Sequence, residues 1–82
     1  MNNIKRFHLQ GMGKIYIFDK TFNSGLYDNA MPLLEDFKVS DSSISKKALC
    51  RFVDKHKRLC RIDVQCYKEE ERYIGNPREI CV

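Results

Sequence analysis

A helical pattern of apolar residues that passes directly into an alternating pattern constrains the fold of this chain more than any other feature. In residues 43–58 the apolar positions recur at the spacing of an α-helix, and in residues 59–67 they recur at every second position, as in a half-buried strand. The apolar side of the predicted helix consists of Ala48, Leu49, Phe52, Val53 and His56. Because a helix and a strand that are each apolar on one side bury those sides against each other, the pattern predicts a fold that contains both.

Signals at both ends of the predicted helix agree with its periodicity. Ser42, Ser43 or Ser45 can accept a hydrogen bond from an unpaired amide of the first turn, and Lys57 and Arg58 suit the negative C-terminal end of the helix dipole. The strand that follows has an apolar face, which consists of Cys60, Ile62, Val64 and Cys66. We expect that face to pack on the helix and the opposite face to meet water or a partner.

The first half of the chain predicts a β-hairpin and a short helix. Residues 4–10 and 14–18 are rich in β-branched and aromatic residues, and the Gly-Met-Gly segment between them permits a tight connection. That segment lacks the third glycine and the Lys-Ser/Thr ending of nucleotide-binding loops, so we expect a turn there. After a turn-rich segment, residues 30–37 have helical spacing with Pro32 in the first turn, and residues 39–43 form a predicted loop.

The last part of the chain predicts a second hairpin. A charged connection leads into a strand over residues 72–74, residues 75–77 form a turn, and residues 78–82 form a fifth short strand or an ordered tail. The sequence thus predicts one small α+β domain over residues 1–82, with a mainly antiparallel sheet of four or five strands, the order β-β-α-α-β-β and one dominant basic amphipathic helix. The predicted core consists of Phe7, Leu9, Ile15, Ile17, Leu33, Phe37, Leu49, Phe52, Val53, Ile62 and Val64.

The four cysteines can be free thiols, disulfides or metal ligands. Cys60 and Cys66 lie about 20 Å apart on one strand, at about 3.3 Å per residue, so they cannot bond to each other there. Cys50 with Cys60, or Cys66 with Cys81, can be neighbours in the fold, but the spacing matches no compact zinc motif. Buried free thiols are therefore the preferred interpretation, which implies a reducing compartment.

The sequence also favours a soluble cytoplasmic protein. No secretion signal is present at the N-terminus, and no apolar segment approaches the length needed to cross a bilayer. We expect no cofactor, no metal and no membrane partner.

The net charge of +4 is concentrated on the predicted helix and the start of its strand. Residues 43–61 carry seven basic groups and one acidic group, whereas residues 1–42 are neutral overall and residues 62–82 carry a net charge of −2. Basic side chains neutralise phosphates and supply sequence-independent affinity for nucleic acid. The candidate nucleic-acid-binding residues are Lys46, Lys47, Arg51, Lys55, Lys57, Arg58 and Arg61, together with Tyr67 and Tyr73, which can stack on bases if they share an exposed sheet face.

Other interpretations of these charges stay open. A solvated helix face keeps a small protein soluble, and a basic face also suits an acidic protein surface. Residues 69–71 are three consecutive glutamates, which predict a solvated turn or an acidic patch that can pair with the basic helix of another copy to give a homodimer. His8 and His56 could serve as general acid and base in RNA cleavage, but nothing in their spacing brings them together. No catalytic residue is assigned.

The sequence therefore favours a small, basic, non-enzymatic nucleic-acid-binding accessory protein. RNA is preferred over DNA because no groove-reading motif such as a helix-turn-helix is present. The short length, the Lys, Asn and Ile content, the expected free thiols and the absence of a motif suggest the hypothesis of a phage or mobile-element accessory protein, either a regulator or an anti-defence factor. One alternative is an inhibitor or adaptor that blocks a nucleic-acid-processing or toxin enzyme, and a second is a small ribonuclease.

Overall fold

The computed structural model describes residues 3–9, 16–66 and 71–81, which form an α+β fold with four strands and three helices. The elements are, in chain order, β1 (Arg6–Leu9), α1 (Tyr16–Asn23), β2 (Asp36–Ser42), α2 (Lys46–Lys55), β3 (Arg61–Cys66), β4 (Glu71–Gly75) and α3 (Pro77–Ile80). The predicted order β-β-α-α-β-β is therefore replaced by β-α-β-α-β-β-α.

The four strands form one mixed sheet in the order β1-β2-β3-β4. β1 is parallel to β2 and β2 is parallel to β3, whereas β4 is antiparallel to β3. Parallel neighbours need a crossover connection, and α1 and α2 provide the two crossovers. The prediction of a mainly antiparallel sheet is therefore met only in part, since β3 and β4 are antiparallel and the other two pairings are parallel.

The core lies between one face of the sheet and the helices. Phe37 and Val39 of β2, with Ile62 and Val64 of β3, point to this face and are fully buried. The helices add Phe18, Phe22, Ala48, Leu49, Phe52 and Val53 to the same cluster. Of the predicted core, Phe37, Leu49, Phe52, Val53, Ile62 and Val64 are buried, Phe7 and Leu9 pack against the cluster, Leu33 is only partly buried, and Ile15 and the side chain of Ile17 lie outside the described residues.

The prediction of a hairpin after β1 is wrong, because α1 begins at Tyr16 and continues to Asn23 through the segment that was predicted to be turn-rich. Phe18 and Phe22 are four residues apart, so they share one side of α1. Their rings lie 6.5 and 5.7 Å from the ring of Phe37, measured between centroids. This packing outweighs the β propensity of a short apolar run, which is a weak signal by itself. The Gly-Met-Gly turn and residues 14–15 lie outside the described residues.

The predicted short helix at residues 30–37 and the predicted loop at residues 39–43 are also wrong, since Asp36–Ser42 form β2. Phe37 and Val39 alternate with Asp36 and Lys38, which is the pattern of a half-buried strand. The apolar positions just before them fit a helix equally well over so short a run. The strand prevails because its backbone pairs on both sides, with β1 and with β3.

Cys50 and Cys81 form a disulfide with a Cα–Cα distance of 5.4 Å, so the prediction of free thiols is wrong for this pair. The C-terminal segment was predicted to be a strand or tail, but Asn76 caps a helical turn that begins at Pro77 and brings Cys81 beside α2. Cys60 and Cys66 are not part of this disulfide, and the first is exposed whereas the second is buried. A reducing compartment, inferred from four free thiols, therefore loses its support.

None of the helices in the described segments combines the length and the apolar character that a membrane span requires. No group of three or more His, Cys, Asp and Glu residues in residues 3–9, 16–66 and 71–81 is arranged to hold a metal ion.

Candidate nucleic-acid interface

The outer side of α2 and the turn that follows it carry a group of exposed cations. We define this surface, the α2 face, by the side chains of Lys46, Lys47, Lys55, Lys57 and Arg58, all of which are exposed. The helix is fixed underneath by its buried apolar side and at its start by Ser45, whose hydroxyl accepts a hydrogen bond from the amide of Ala48 at 3.2 Å. Asp54 is the one acidic residue in the segment 46–58.

Most of the cations on the α2 face are available to an external anion. Lys57 lies 3.5 Å from Asp54, but both side chains are more than 70% exposed, at 78% and 75%, so the pair is weak. Lys47, Lys55 and Arg58 have no ion-pair partner among the described residues. Exposed and unpaired cations break no ion pair within the protein when they contact a phosphate, and their contact releases the counterions of the nucleic acid.

Tyr73 lies under the α2 face and not on an open stacking surface. It pairs with Val64 across β3 and β4, which places it on the helix side of the sheet, where it packs against the core. The Lys46 ammonium lies 5.9 Å from the centroid of the Tyr73 ring, and the Tyr73 hydroxyl donates a hydrogen bond to the Glu71 carboxylate. Tyr73 therefore positions Lys46, and the expected partner for base stacking, Tyr67, lies outside the described residues.

Arg51 is used inside the protein. Its Nη2 donates to the carbonyl oxygens of Phe22 and Asn23, at 3.1 and 3.3 Å, and its Nε lies 3.2 Å from the Asp28 carboxylate. It thereby satisfies the unpaired carbonyls at the end of α1. Gly25 has a φ of +85° beside this contact, where a Cβ would lie 3.3 Å from the Arg51 guanidinium. Because its guanidinium is bonded within the protein, Arg51 differs from the other candidate residues on α2.

Arg61 lies on the opposite side of the protein from the α2 face. We call this second surface the open sheet face, since no described element covers it. Its residues are Arg6, His8, Asp36, Lys38, Arg61, Asp63, Gln65, Arg72 and Ile74. Arg61 stands in one row with Arg6 and Asp36, on the three parallel strands.

On the open sheet face, several basic side chains are paired with carboxylates of the same face. Asp63 accepts two hydrogen bonds from the Arg72 guanidinium, at 3.1 and 2.9 Å, and lies 3.9 Å from Lys38. These bonds from Arg72 hold the pKa of the Asp63 carboxyl below its usual value, although partial burial opposes the shift. His8 lies 3.2 Å from Asp36 on the same face. The α2 face has fewer carboxylates and is the more strongly basic of the two surfaces.

The Asp63–Arg72 pair predicts a dependence of stability on acid. Because the pKa of Asp63 is lower in the folded protein, the pair stabilises the fold above the ordinary carboxyl pKa of 3.8 and loses that effect as the pH falls through the folded value. Arg72→Gln should therefore be less stable than the wild type at pH 6, and the difference should shrink as the pH is lowered towards 2. Urea unfolding at each pH measures it, and a difference that grows in acid would contradict the assignment.

His56 is buried and does not meet His8. Its Nδ1 lies 2.7 Å from the carbonyl oxygen of Phe52, its Nε2 lies 2.5 Å from that of Ala30, and its ring stacks on Phe52. The imidazole thus joins the end of α2 to the segment before β2. His8 lies on the open sheet face, so the two histidines considered for acid and base catalysis are on opposite sides of the sheet.

Arg78 is a residue near the α2 face that sequence reasoning missed. From α3, its Nη1 donates to the carbonyl oxygen of Val53 at 2.8 Å and its Nη2 donates to that of His56 at 2.7 Å. These bonds give a second donor to two carbonyls at the C-terminal end of α2, which also accept from the backbone amides of His56 and Leu59. The only local signal was the Asn-Pro start of a helical turn, and nothing in the sequence shows what that turn contacts.

Comparison of the chain with protein-family models, with curated proteins and with solved structures finds no significant match to any of them.

Proposed function

We propose that this protein binds single-stranded RNA through its phosphates, on the α2 face. The observation that carries the proposal is the set of five exposed cations, with one carboxylate among them, on α2 and the turn that follows it, while the opposite side of α2 is buried in the core. A rigid element holds its cations at fixed positions, which lowers the entropic cost of binding a charged strand.

Phosphate contacts are the main source of affinity in this proposal. Lysine supplies a point charge that tolerates different phosphate geometries, and the guanidinium of Arg58 can form paired hydrogen bonds with one phosphate. Tyr73 supports Lys46 from below and contributes no stacking platform. Binding of this kind depends little on sequence, because the phosphates are the same at every nucleotide.

RNA is preferred over duplex DNA because of the position of α2 in the fold. β2 and β3 flank α2 along the chain, so the described helices do not form a helix-turn-helix. Base-edge readout in the major groove needs a helix that projects into it, whereas a flexible single strand can lie along an exposed helix side. No catalytic residue is part of the proposal.

A titration of labelled, mixed-sequence single-stranded RNA at two salt concentrations tests this function. Each neutralised phosphate of a single strand changes the slope of log K against log salt by about −0.7, so three to five contacts give about −2 to −3.5. Between about 50 and 200 mM salt the affinity should then fall by about tenfold to a hundredfold. Absence of binding at the lower salt would refute the proposal and leave the α2 face to an acidic protein partner.

A further inference from the structure

The Cys50–Cys81 disulfide lies at the surface and not in the core. Both cysteines are only partly buried, and they form part of the wall of an open groove of about 360 Å³ between α2 and α3. The other residues that line this groove are Val53, Asp54, Lys57 and Arg78. An attacking thiolate can therefore approach the sulfur atoms from solvent, which a disulfide enclosed in a core does not permit.

The charges of the groove favour thiol–disulfide exchange. Lys57 and Arg78 both line it, and Asp54 is the one carboxylate that opposes them. Neighbouring cations stabilise a thiolate, both the one that attacks and the one that leaves. The same net positive charge attracts an anionic reductant.

The disulfide is also coupled to the α2 face. α3 is a single helical turn, Pro77–Ile80, and a helix of that length does not persist without tertiary contacts. Pro77 is buried and Ile80 packs against the core, and α3 is joined to α2 itself by the disulfide and by the Arg78 guanidinium. Lys55, Lys57 and Arg58 lie in and just after the turn of α2 that Arg78 caps.

We infer that the Cys50–Cys81 disulfide is a thiol-exchange site for a dithiol reductant, and that its oxidation state sets the affinity of the α2 face for RNA. This inference rests on the proposed function. One thiolate of the reductant attacks a sulfur of the pair, the S–S bond breaks, and the other cysteine leaves as a thiolate that takes up a proton. The second thiol of the reductant then attacks the mixed disulfide. The reductant ends as a disulfide, and Cys50 and Cys81 gain two electrons and two protons.

Reduction weakens RNA binding by loosening α3. Without the cross-link, Arg78 leaves the end of α2 for part of the time, and the last turn frays together with its cations. The apparent affinity then falls in proportion to the fraction of molecules that keep the turn folded. The oxidised protein is therefore the form that binds RNA more tightly.

The test compares oxidised and dithiothreitol-reduced wild type by two readouts, amide hydrogen exchange and RNA affinity. After reduction, the amides of His56 and Cys81, which are hydrogen-bonded in α2 and α3, should exchange at least about tenfold faster. The Kd for single-stranded RNA should rise about threefold or more. Cys81→Ser should show the amide exchange and RNA affinity of the reduced wild type, and dithiothreitol should not change them. Cys60→Ser keeps the disulfide and should show the values of the wild type in both states.

The readouts separate the possible failures. Unchanged amide exchange at His56 and Cys81 after reduction overturns the switch. An equal loss of protection at Val39 and Val64 in the central strands also overturns it, because the disulfide would then stabilise the whole fold and not only the contact between α2 and α3. Faster local exchange with an unchanged Kd overturns the coupling to RNA. Oxidised protein that binds no RNA refutes the proposed function, while the exchange data still decide whether reduction releases α3.

Discussion

Replacement of Phe37 by Ala is expected to lower the free energy of unfolding by about 3–5 kcal/mol, the range for removal of a large buried aromatic side chain. Phe37 is fully buried at the centre of the core. Its ring centroid lies 5.7 Å from that of Phe7, 5.7 Å from that of Phe22 and 4.9 Å from that of Phe52. One truncation therefore opens a cavity where β1, α1 and α2 meet. A chain of 82 residues has a total stability of about 4–12 kcal/mol, so the loss is a large part of it.

Urea unfolding followed by circular dichroism measures this effect, with two reference variants. Phe37→Leu keeps most of the buried volume and should lose clearly less stability than Phe37→Ala. Ile74→Ala removes a side chain from a residue that is 54% exposed, and it should change stability by no more than about 0.5 kcal/mol. A loss of less than about 1 kcal/mol in Phe37→Ala would mean that the ring is not at the centre of the core.

The elements that the sequence predicts well are those with one long, unambiguous period. α2 and β3 each show a single period over their whole length and lie within the segments where the pattern predicts a helix and a strand, although both elements are shorter than predicted. α1 and β2 were misassigned because Phe18, Phe22 and Phe37 belong to short apolar runs that fit more than one structure. Their structure is set by parallel pairing between segments about 25 to 30 residues apart, which local patterns do not encode.

Neutralisation of Lys47, Lys55 and Arg58 by substitution with Gln is expected to lower the affinity for single-stranded RNA by about a hundredfold near 0.1 M salt. Each phosphate contact changes log K for RNA binding by about 0.7 for a tenfold change in salt concentration. Each contact therefore raises the affinity about fivefold at 0.1 M salt relative to 1 M salt. The slope of log K against log salt should become shallower by about 2. These three side chains are exposed and have no ion-pair partner among the described residues, so the fold should be unaffected.

A matched variant with the same change in net charge controls for long-range electrostatics. Lys5, Arg6 and Arg61 are also exposed, and Arg6 and Arg61 belong to the open sheet face, on the other side of the protein. Their joint substitution with Gln should change RNA affinity by no more than about threefold, since Arg6 and Arg61 point away from the α2 face and salt screens exposed charges that do not contact the RNA. Equal losses in the two triple variants would show that net charge, and not the α2 face, determines binding.

The composition of the site could be predicted from the sequence, but its geometry could not. The concentration of positive charge between residues 43 and 61 is visible in the chain, and α2 together with the turn that follows it exposes five of these seven cations. Arg51 contacts the end of α1 through partners 23 to 29 residues away, and Tyr73 faces the helices because of its register with Val64. The Arg61 side chain points away from the α2 face, because side chains alternate between the two faces of a strand and Arg61 lies on the open sheet face. Each of these placements depends on tertiary contacts.

The most direct test of the account is to map the chemical-shift changes of backbone amides when single-stranded RNA is added to the oxidised protein at low salt. If the α2 face holds the phosphates, the largest changes fall on residues 46–58, and the amides of β1 and the central part of β3 change little. Changes that fall mainly on residues 6–9, 36–40 and 61–65 would contradict the account and transfer the interface to the open sheet face. The absence of any change would contradict RNA binding itself.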